Sequence, residues 1–557
     1  MKISRLTFLF FVIVFFAAVV RFYNLGKVPF GLNTDETAIG YNAYSILESG
    51  KDEHGVKHPL YFLSFGDNKL PIYIYSTVGM IKLLGPTPLA VRLTSTIFGV
   101  IAVVTIYALI RVLSKNEMWA LFGAFLLAIN PWSIFFSRTG FEVNVATTYM
   151  LLGTLFYFLW LKSKRFQIPL IVLSIVFFLL SAYCYNATRL LSPILLATLL
   201  VYSYFFYPKI KRVRYLLPVV LFGIGLIPFA ISFLHETGIA AQETLLLTGG
   251  ESQAEKLQFK SYLTNRPAQL LFSSPSLYLW HYLKNIFSFI NVNFFFVSGP
   301  DHPINGVPGF GMFHLIEMLL IPLGLFVAIK KRISYLYPFL AWIAVVILFG
   351  SITREVPHPT RTYAILYPFI IFSSYGLFLV FEWIKQQKKK PVRLLSILAI
   401  TGFFAYSITL YLTTYFLYFP TVSAKDWRSQ DQKLAEFLKQ QEPNYEHIII
   451  EENADFAYTS LLFYTKFDPE TVHKGEYGKD GLLTTLKKFG KYEYKPINPD
   501  QDTHQPNTLI VTTDEQALNA TQVNTFYLPT QKKVLFYDNQ FMEIPEKEIK
   551  YKVYSTK

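Results

Sequence analysis

Cysteine is almost absent: Cys184 is the only one in 557 residues, so no disulfide can form within the chain and a thiolate metal site has no ligands to draw on. An inert buried thiol is the expectation for it. Glycine-rich phosphate cradles are missing too, with no GxxxxGK pattern and no GxGxxG following a strand, which leaves soluble nucleotide chemistry without support. No internal repeat or low-complexity stretch stands out. Charge is scarce, at 16% of residues, while 52% are hydrophobic and 17% aromatic, including 53 Phe. That balance excludes an ordinary soluble domain of this size and points to burial in a membrane.

A formal net charge of +14 invites a nucleic-acid reading, but the charge is not spread as a polyanion would require. Residues 421–557 carry 17 Lys and Arg against 21 Asp and Glu, and the preceding part carries 34 against 16. In that first part many of the basic residues fall in short clusters between apolar runs, the pattern of membrane topology.

Apolar runs of a length to cross roughly 30 Å of hydrocarbon, or nearly so, lie at 6–20, 89–110, 118–136, 143–161, 167–185, 190–207, 215–234, 311–329, 333–350, 362–384 and 394–417. Every second gap holds a basic cluster: Lys2/Arg5, Arg111/Lys115, Lys162/Lys164/Arg165, Lys209/Lys211/Arg212/Arg214, Lys330/Lys331/Arg332 and Lys385/Lys388/Lys389/Lys390/Arg393. Those 19 basic residues, with Glu117 the one acid among them, place these gaps in the cytoplasm. The N-terminus is then inside and the tail outside after eleven crossings. The segment 6–20 reads as a first anchor rather than a cleaved signal because the later clusters need its parity. The run Ile72 to Leu84, at 13 residues, is short for a span and would invert every later cluster, so it reads as an interfacial helix.

The expected architecture is therefore an α-helical polytopic membrane protein of about 11 transmembrane helices, with a small C-terminal extracytoplasmic α/β domain. Residues 1–420 form the membrane domain, with an outer loop at 21–88, and 421–557 the outer domain. In the tail, Trp427, Leu434, Phe437 and Leu438 suit an amphipathic helix, and His447–Ile450, Thr508–Thr512 and Lys533–Tyr537 suit strands.

Exposed chemistry belongs to the outer gaps. The first opens with Asp35 and Glu36, followed by Asp52, Glu53, Asp67 and Lys69. Carboxylates this close to a membrane are solvated, paired or working. If Asp35 to Leu47 is a helix capped by Thr34, the two acids also fit its first turn as dipole partners. Lys69, just before Leu70 and Pro71, is either a point charge for a lipid phosphate or a snorkelling lysine. In a second turn Arg138 and Glu142 stand four residues apart, the spacing of a helical ion pair. A third, TREVPHPTRTY, holds Arg354, His358 and Arg361 outside, against the positive-inside trend. It marks either a bound anion such as a phosphate or pairing with Glu355 and the acidic tail. His302 and His314 read as structural.

The order of pieces resembles the GT-C superfamily of lipid-linked-sugar glycosyltransferases, of the protein O-mannosyltransferase and aminoarabinose-transferase type. What carries the resemblance is one span, a loop opening with Asp35-Glu36, the stretches Gly50-Lys51-Asp52 and His58-Pro59-Leu60, then Lys69-Leu70-Pro71, Leu84-Gly85 and Ala90-Val91-Arg92-Leu93. It covers residues 1 to about 160 by motif and the rest by architecture. Leu70 stands where such families commonly continue Lys-Pro-Pro, and Glu142 where others often carry Asp.

The resemblance implies transfer of a sugar from a polyprenyl-phosphate donor to a hydroxyl of a protein, lipid or cell-envelope glycan, with inversion, on the extracytoplasmic face of the plasma membrane. It implies Asp35 as base, Glu36 as its partner or a metal contact, Lys69 as phosphate ligand with Asp67 nearby, and Arg138 and Glu142 shaping the same cavity. Arg354, His358 and Arg361 are added from charge placement alone. A divalent Mg²⁺ or Mn²⁺ held by Asp35, Glu36 or Glu142 is compatible with this chemistry without being required by it. The expected partners are the lipid-linked donor, the acceptor and membrane lipids, with no nucleic acid.

Two alternatives stand beside this reading. An oligosaccharyltransferase-like enzyme favours a Trp-Trp-Asp motif in the tail, where only Lys425-Asp426-Trp427 occurs. A lipid-linked-sugar flippase calls for charges within the spans, which are almost free of them. Asn186-Ala187-Thr188 and Asn519-Ala520-Thr521 match the glycosylation pattern but are short and unspecific.

Overall fold

The computed structural model describes residues 4–64, 67–165, 167–208, 215–235, 274–452, 454–480, 483–513, 518–529, 534–537, 540–543 and 548–557. Lys2, the cluster Lys209/Lys211/Arg212/Arg214, part of the loop from His235 to Phe310, and Lys533 lie outside them. The chain folds into two compact units. One comprises Met1–Tyr23, Ser95–Ser137 and Glu142–Tyr411, the other Asn24–Thr94, Arg138–Phe141 and Leu412–Lys557.

The first unit is helical. Among the described residues six helices are long and apolar enough to cross a membrane: Arg5–Phe22, Pro88–Ser114, Glu142–Lys162, Asn186–Phe206, Pro359–Gln386 and Lys390–Val422. The pair Glu117–Ile129 and Pro131–Ser137, bent by 59°, makes a seventh as one broken span. Helices at Gln167–Ala182, Leu216–Pro228, Glu317–Lys330 and Ser334–Gly350 fall on the four remaining apolar runs. At ~1.5 Å per residue Gln167–Ala182, Glu317–Lys330 and Ser334–Gly350 fall short of a full crossing, whereas the helix that starts at Leu216 runs on to His235, 20 residues with Pro228 inside it.

The broken span has a physical cause. Pro131 withholds an N–H at the point where the first helix ends. The freed carbonyls of Leu127 and Ala128 accept from the Arg21 guanidinium at 3.1 and 3.0 Å, and Ser133 Oγ accepts from it at 2.8 Å. Arg21 is fully buried, so a cation sits on the carbonyl end of the helix, where its charge is favourable.

The second unit joins three separated stretches. Helix α1 (Thr34–Ser49) leads to a hairpin of β1 (Phe62–Ser64) and β2 (Asp67–Lys69), then to α2 (Pro71–Leu84). Helix α2 covers the segment 72–84, where an interfacial helix is expected. The tail begins with α3 (Asp431–Gln441), whose Leu434 and Leu438 are buried. Trp427 precedes α3 rather than lying on it. Then come β3 (His447–Glu451), α4 (Tyr458–Thr465), α5 (Pro469–His473), β4 (Glu476–Asp480), β5 (Leu483–Phe489), β6 (Tyr492–Lys495), β7 (Thr508–Thr512), β8 (Thr521–Tyr527), β9 (Val534–Tyr537), β10 (Gln540–Glu543) and β11 (Ile549–Ser555). Seven strands form a sheet in the order β4-β5-β6-β3-β7-β11-β8, with β3 parallel to both β6 and β7. The central β3 and β7 are buried almost throughout and apolar at their middle positions, as strands covered on both faces must be. The expected strands at 447–450 and 508–512 are β3 and β7.

Candidate active site

Helix α1 sets the geometry. Its N-cap is Asn33, not Thr34: Asn33 Oδ1 accepts from the Glu36 amide at 2.8 Å, and Glu36 Oε2 accepts from the Asn33 amide at 3.2 Å. This reciprocal capping box satisfies two donors that the first turn leaves without helical partners. It also points Asp35 and Glu36 in different directions.

Glu36 faces inward and is fully buried. Besides the Asn33 amide, its carboxylate accepts from Arg92 Nε at 2.8 Å, Arg92 Nη2 at 3.1 Å and the Gly140 amide at 2.7 Å. The buried Arg92 also donates to the carbonyls of Leu25, Pro29 and Gly31, at 3.2, 3.1 and 2.6 Å, and lies 5.6 Å from the centre of the Trp427 ring. A bidentate pair in so dry a place persists because its remaining hydrogen-bonding capacity is satisfied. Glu36 and Arg92 thus tie together the loop at 25–33, the segment at 138–141 and the turn at Trp427.

Asp35 faces outward, with its side chain 53% exposed. Lys69 closes β2, opposite Phe62 across the hairpin, and its side chain is only 4% exposed. Its Nζ reaches Asp35 Oδ1 at 2.6 Å. Asp67 opens β2, paired with Ser64 across the hairpin.

Behind this face, Glu53 binds α1 to α4. Its carboxylate accepts from Tyr458 Oη at 2.9 Å and Asn42 Nδ2 at 3.2 Å, and its amide donates to Asn42 Oδ1 at 3.1 Å. Burial pushes the Glu53 carboxyl up to about 8, against the hydrogen bonds that favour its ionised form. Thr37 and Thr459 add a hydroxyl pair at 2.8 Å between the same helices. The hydroxyl of Tyr477 donates to the Glu53 carbonyl, and His473 Nε2 donates to that of Asp52.

The other predicted residues divide between the units. Arg138, buried in the second unit, donates to the Val28 carbonyl at 3.3 Å and Tyr415 Oη at 3.2 Å, with the rings of Tyr415 and Phe416 centred 5.3 and 4.6 Å away. Glu142, in the first unit, opens the helix Glu142–Lys162. The turn carrying Arg354, His358 and Arg361 also belongs to the first unit. There His358 accepts from the Thr360 amide as a helix cap, and burial together with nearby Arg361 holds its imidazole down to about 3, so it is neutral at pH 7. The structure thus brings Asp35, Glu36, Asp67, Lys69 and Arg138 into one unit and leaves Glu142, Arg354, His358 and Arg361 in the other.

Glu36 does not fit a metal: its oxygens already accept four hydrogen bonds, two of them from a guanidinium. Among the described residues no three His, Cys, Asp or Glu side chains form a group suited to holding an ion.

Reading the sequence missed Arg92, Gly140 and the role of Glu53. Arg92 had a visible signal, a charged residue near the start of an otherwise apolar span. Gly140 acts through its backbone, and Glu53 reaches the tail through Tyr458, more than 400 residues away, so neither role leaves a local mark.

No family profile matches this sequence, and no curated protein matches it. Solved structures do. ArnT from Cupriavidus metallidurans bound to undecaprenyl phosphate aligns over 98% of this chain and 98% of its own, at a TM-score of 0.54 and 13% identity. The same protein in the apo state aligns over 92% and 94%, at a TM-score of 0.52 and 13% identity. The archaeal oligosaccharyltransferase AglB from Archaeoglobus fulgidus, in complex with an inhibitory peptide and a dolichol-phosphate, aligns over 91% of this chain and 69% of its own, at 0.54 and 13%. The chain is an integral membrane protein with the GT-C fold that ArnT and AglB share.

Proposed function

We propose that the protein is a membrane glycosyltransferase that moves a sugar from a polyprenyl-phosphate donor to an acceptor hydroxyl. The observation that carries this reading is the juxtaposition of the half-exposed Asp35 carboxylate, on the first turn of α1, and the Lys69 ammonium, at the end of β2, within a fold shared with a protein solved on undecaprenyl phosphate.

The acceptor oxygen attacks the anomeric carbon from the face opposite the phosphate. The new carbon–oxygen bond forms as the bond from that carbon to the phosphate oxygen breaks, which inverts the configuration. The hydroxyl proton passes to Asp35, and the polyprenyl phosphate leaves with its bonding electrons, its charge met by Lys69. Glu36 is the scaffold of the site rather than its second acid, because Arg92 and two amides occupy it.

The eleven-span topology, with α1 and the C-terminal sheet on the extracytoplasmic face of the plasma membrane, belongs to the same proposal. The oligosaccharyltransferase alternative has only Lys425-Asp426-Trp427 where a Trp-Trp-Asp motif is favoured, and there Trp427 is buried against Arg92.

The test is incubation of reconstituted protein with a panel of polyprenyl-phosphate sugars and cell-envelope acceptors, with the products resolved by mass spectrometry. Transfer from one donor, abolished in Asp35→Asn while folding and lipid binding persist, is the expected result. Near-normal turnover of Asp35→Asn removes Asp35 from the base role.

A further inference from the structure

Both roles proposed for the pair draw on one contact. Asp35 Oδ1 is the oxygen held by Lys69 Nζ at 2.6 Å, so that oxygen is not free to take a proton from an acceptor, and the ammonium spends a donor that a phosphate would use. The two side chains differ in freedom: Lys69 is 4% exposed and Asp35 53%.

We propose that the donor phosphate breaks this pair: on binding it takes the Lys69 ammonium and frees Asp35 Oδ1 toward the acceptor, so both oxygens of the carboxylate are open only when the sugar donor is in place. The inference rests on the reading of Asp35 as base and Lys69 as phosphate ligand. A lysine presents three rotatable donors on a flexible stem, whereas an arginine fork would be fixed in place. Asp35 keeps favourable surroundings when the ammonium leaves, because it stands in the first turn of α1, at the positive end of the helix dipole.

Zero-length coupling reads the contact directly. A carbodiimide joins a carboxylate to an ammonium in contact with it, so the free protein yields an Asp35–Lys69 cross-linked peptide detectable by mass spectrometry. Lys69→Arg, which cannot couple in this way, confirms the assignment. With undecaprenyl phosphate at ~10 times its Kd, only about a tenth of the sites remain free, and the cross-link falls roughly tenfold. Undecaprenol, which lacks the phosphate, leaves it unchanged. A cross-link that persists while native mass spectrometry shows the phosphate lipid bound overturns the exchange and leaves the functional reading standing. Absence of any bound undecaprenyl phosphate overturns the functional reading, and the exchange with it.

Discussion

Asp35 and Glu36 are adjacent acids in opposite surroundings, and substitution separates their roles. Glu36 is fully buried against Arg92, so Glu36→Gln leaves an uncompensated guanidinium in a dry site, a loss of about 3–5 kcal/mol for a broken buried pair. The expected outcome is a large fall in the melting temperature of the detergent-solubilised protein. Asp35→Asn is expected to shift it far less, because water reaches the half-exposed carboxylate. Equal shifts would contradict this division. Glu53 supplies a pH-dependent counterpart. Its carboxyl is pushed up to about 8 in the folded protein, against roughly 4.3 in an unfolded chain. Between those values the folded state holds a proton that the unfolded state has lost, so this group's contribution to stability declines as pH rises through that window. Glu53→Gln, which cannot ionise, should therefore gain on the native protein as the pH of a thermal melt is raised from 5 to 8. A constant difference across that range would show that Glu53 does not titrate there.

The ends of α1 are stabilised by different means. Asn33 supplies the capping box, so Asn33→Ala should cost about 1 kcal/mol, while Thr34→Ala should cost little. The expected cap is Thr34, and the local signal that favours Asn33 is its spacing of three residues from Glu36, which closes the capping box. The helices themselves were legible, because a long apolar run has few alternatives to a helix in lipid. The seam between 24–33 and the tail was not. At Gly31, φ is +74° and a Cβ would stand 2.2 Å from the Trp427 carbonyl oxygen, so Gly31→Ala must displace backbone. Gly50, with φ of +72°, has nothing within 4 Å of the same position. Gly50→Ala should therefore cost only the left-handed penalty of about 1 kcal/mol, whereas Gly31→Ala should lower the melting point severely or abolish folded yield. Similar losses at the two positions would mean that the approach to Trp427 is not tight in solution.

For the whole molecule, apolar runs and basic clusters were enough to read a polytopic membrane protein, but not its division into units. Residues 24–94 and 138–141 fold with 412–557 through contacts such as Thr37 with Thr459 and Glu53 with Tyr458, which no periodicity foreshadows. The clusters do bear on sidedness. Turning the molecule over would carry all 19 basic residues of the alternate gaps across the membrane. Cys184 makes the test direct, being the only cysteine and fully buried, so Cys184→Ala gives a background with no thiol at little cost. In that background Glu470→Cys marks the C-terminal unit at an exposed side chain, and Lys388→Cys marks an exposed position between two spans. With a membrane-impermeant maleimide on intact cells, position 470 should label and position 388 should label only after permeabilisation. The reverse pattern would turn α1 and its Asp35–Lys69 pair toward the cytoplasm. Labelling of both positions in intact cells would instead change the parity between them, and with it the count of eleven.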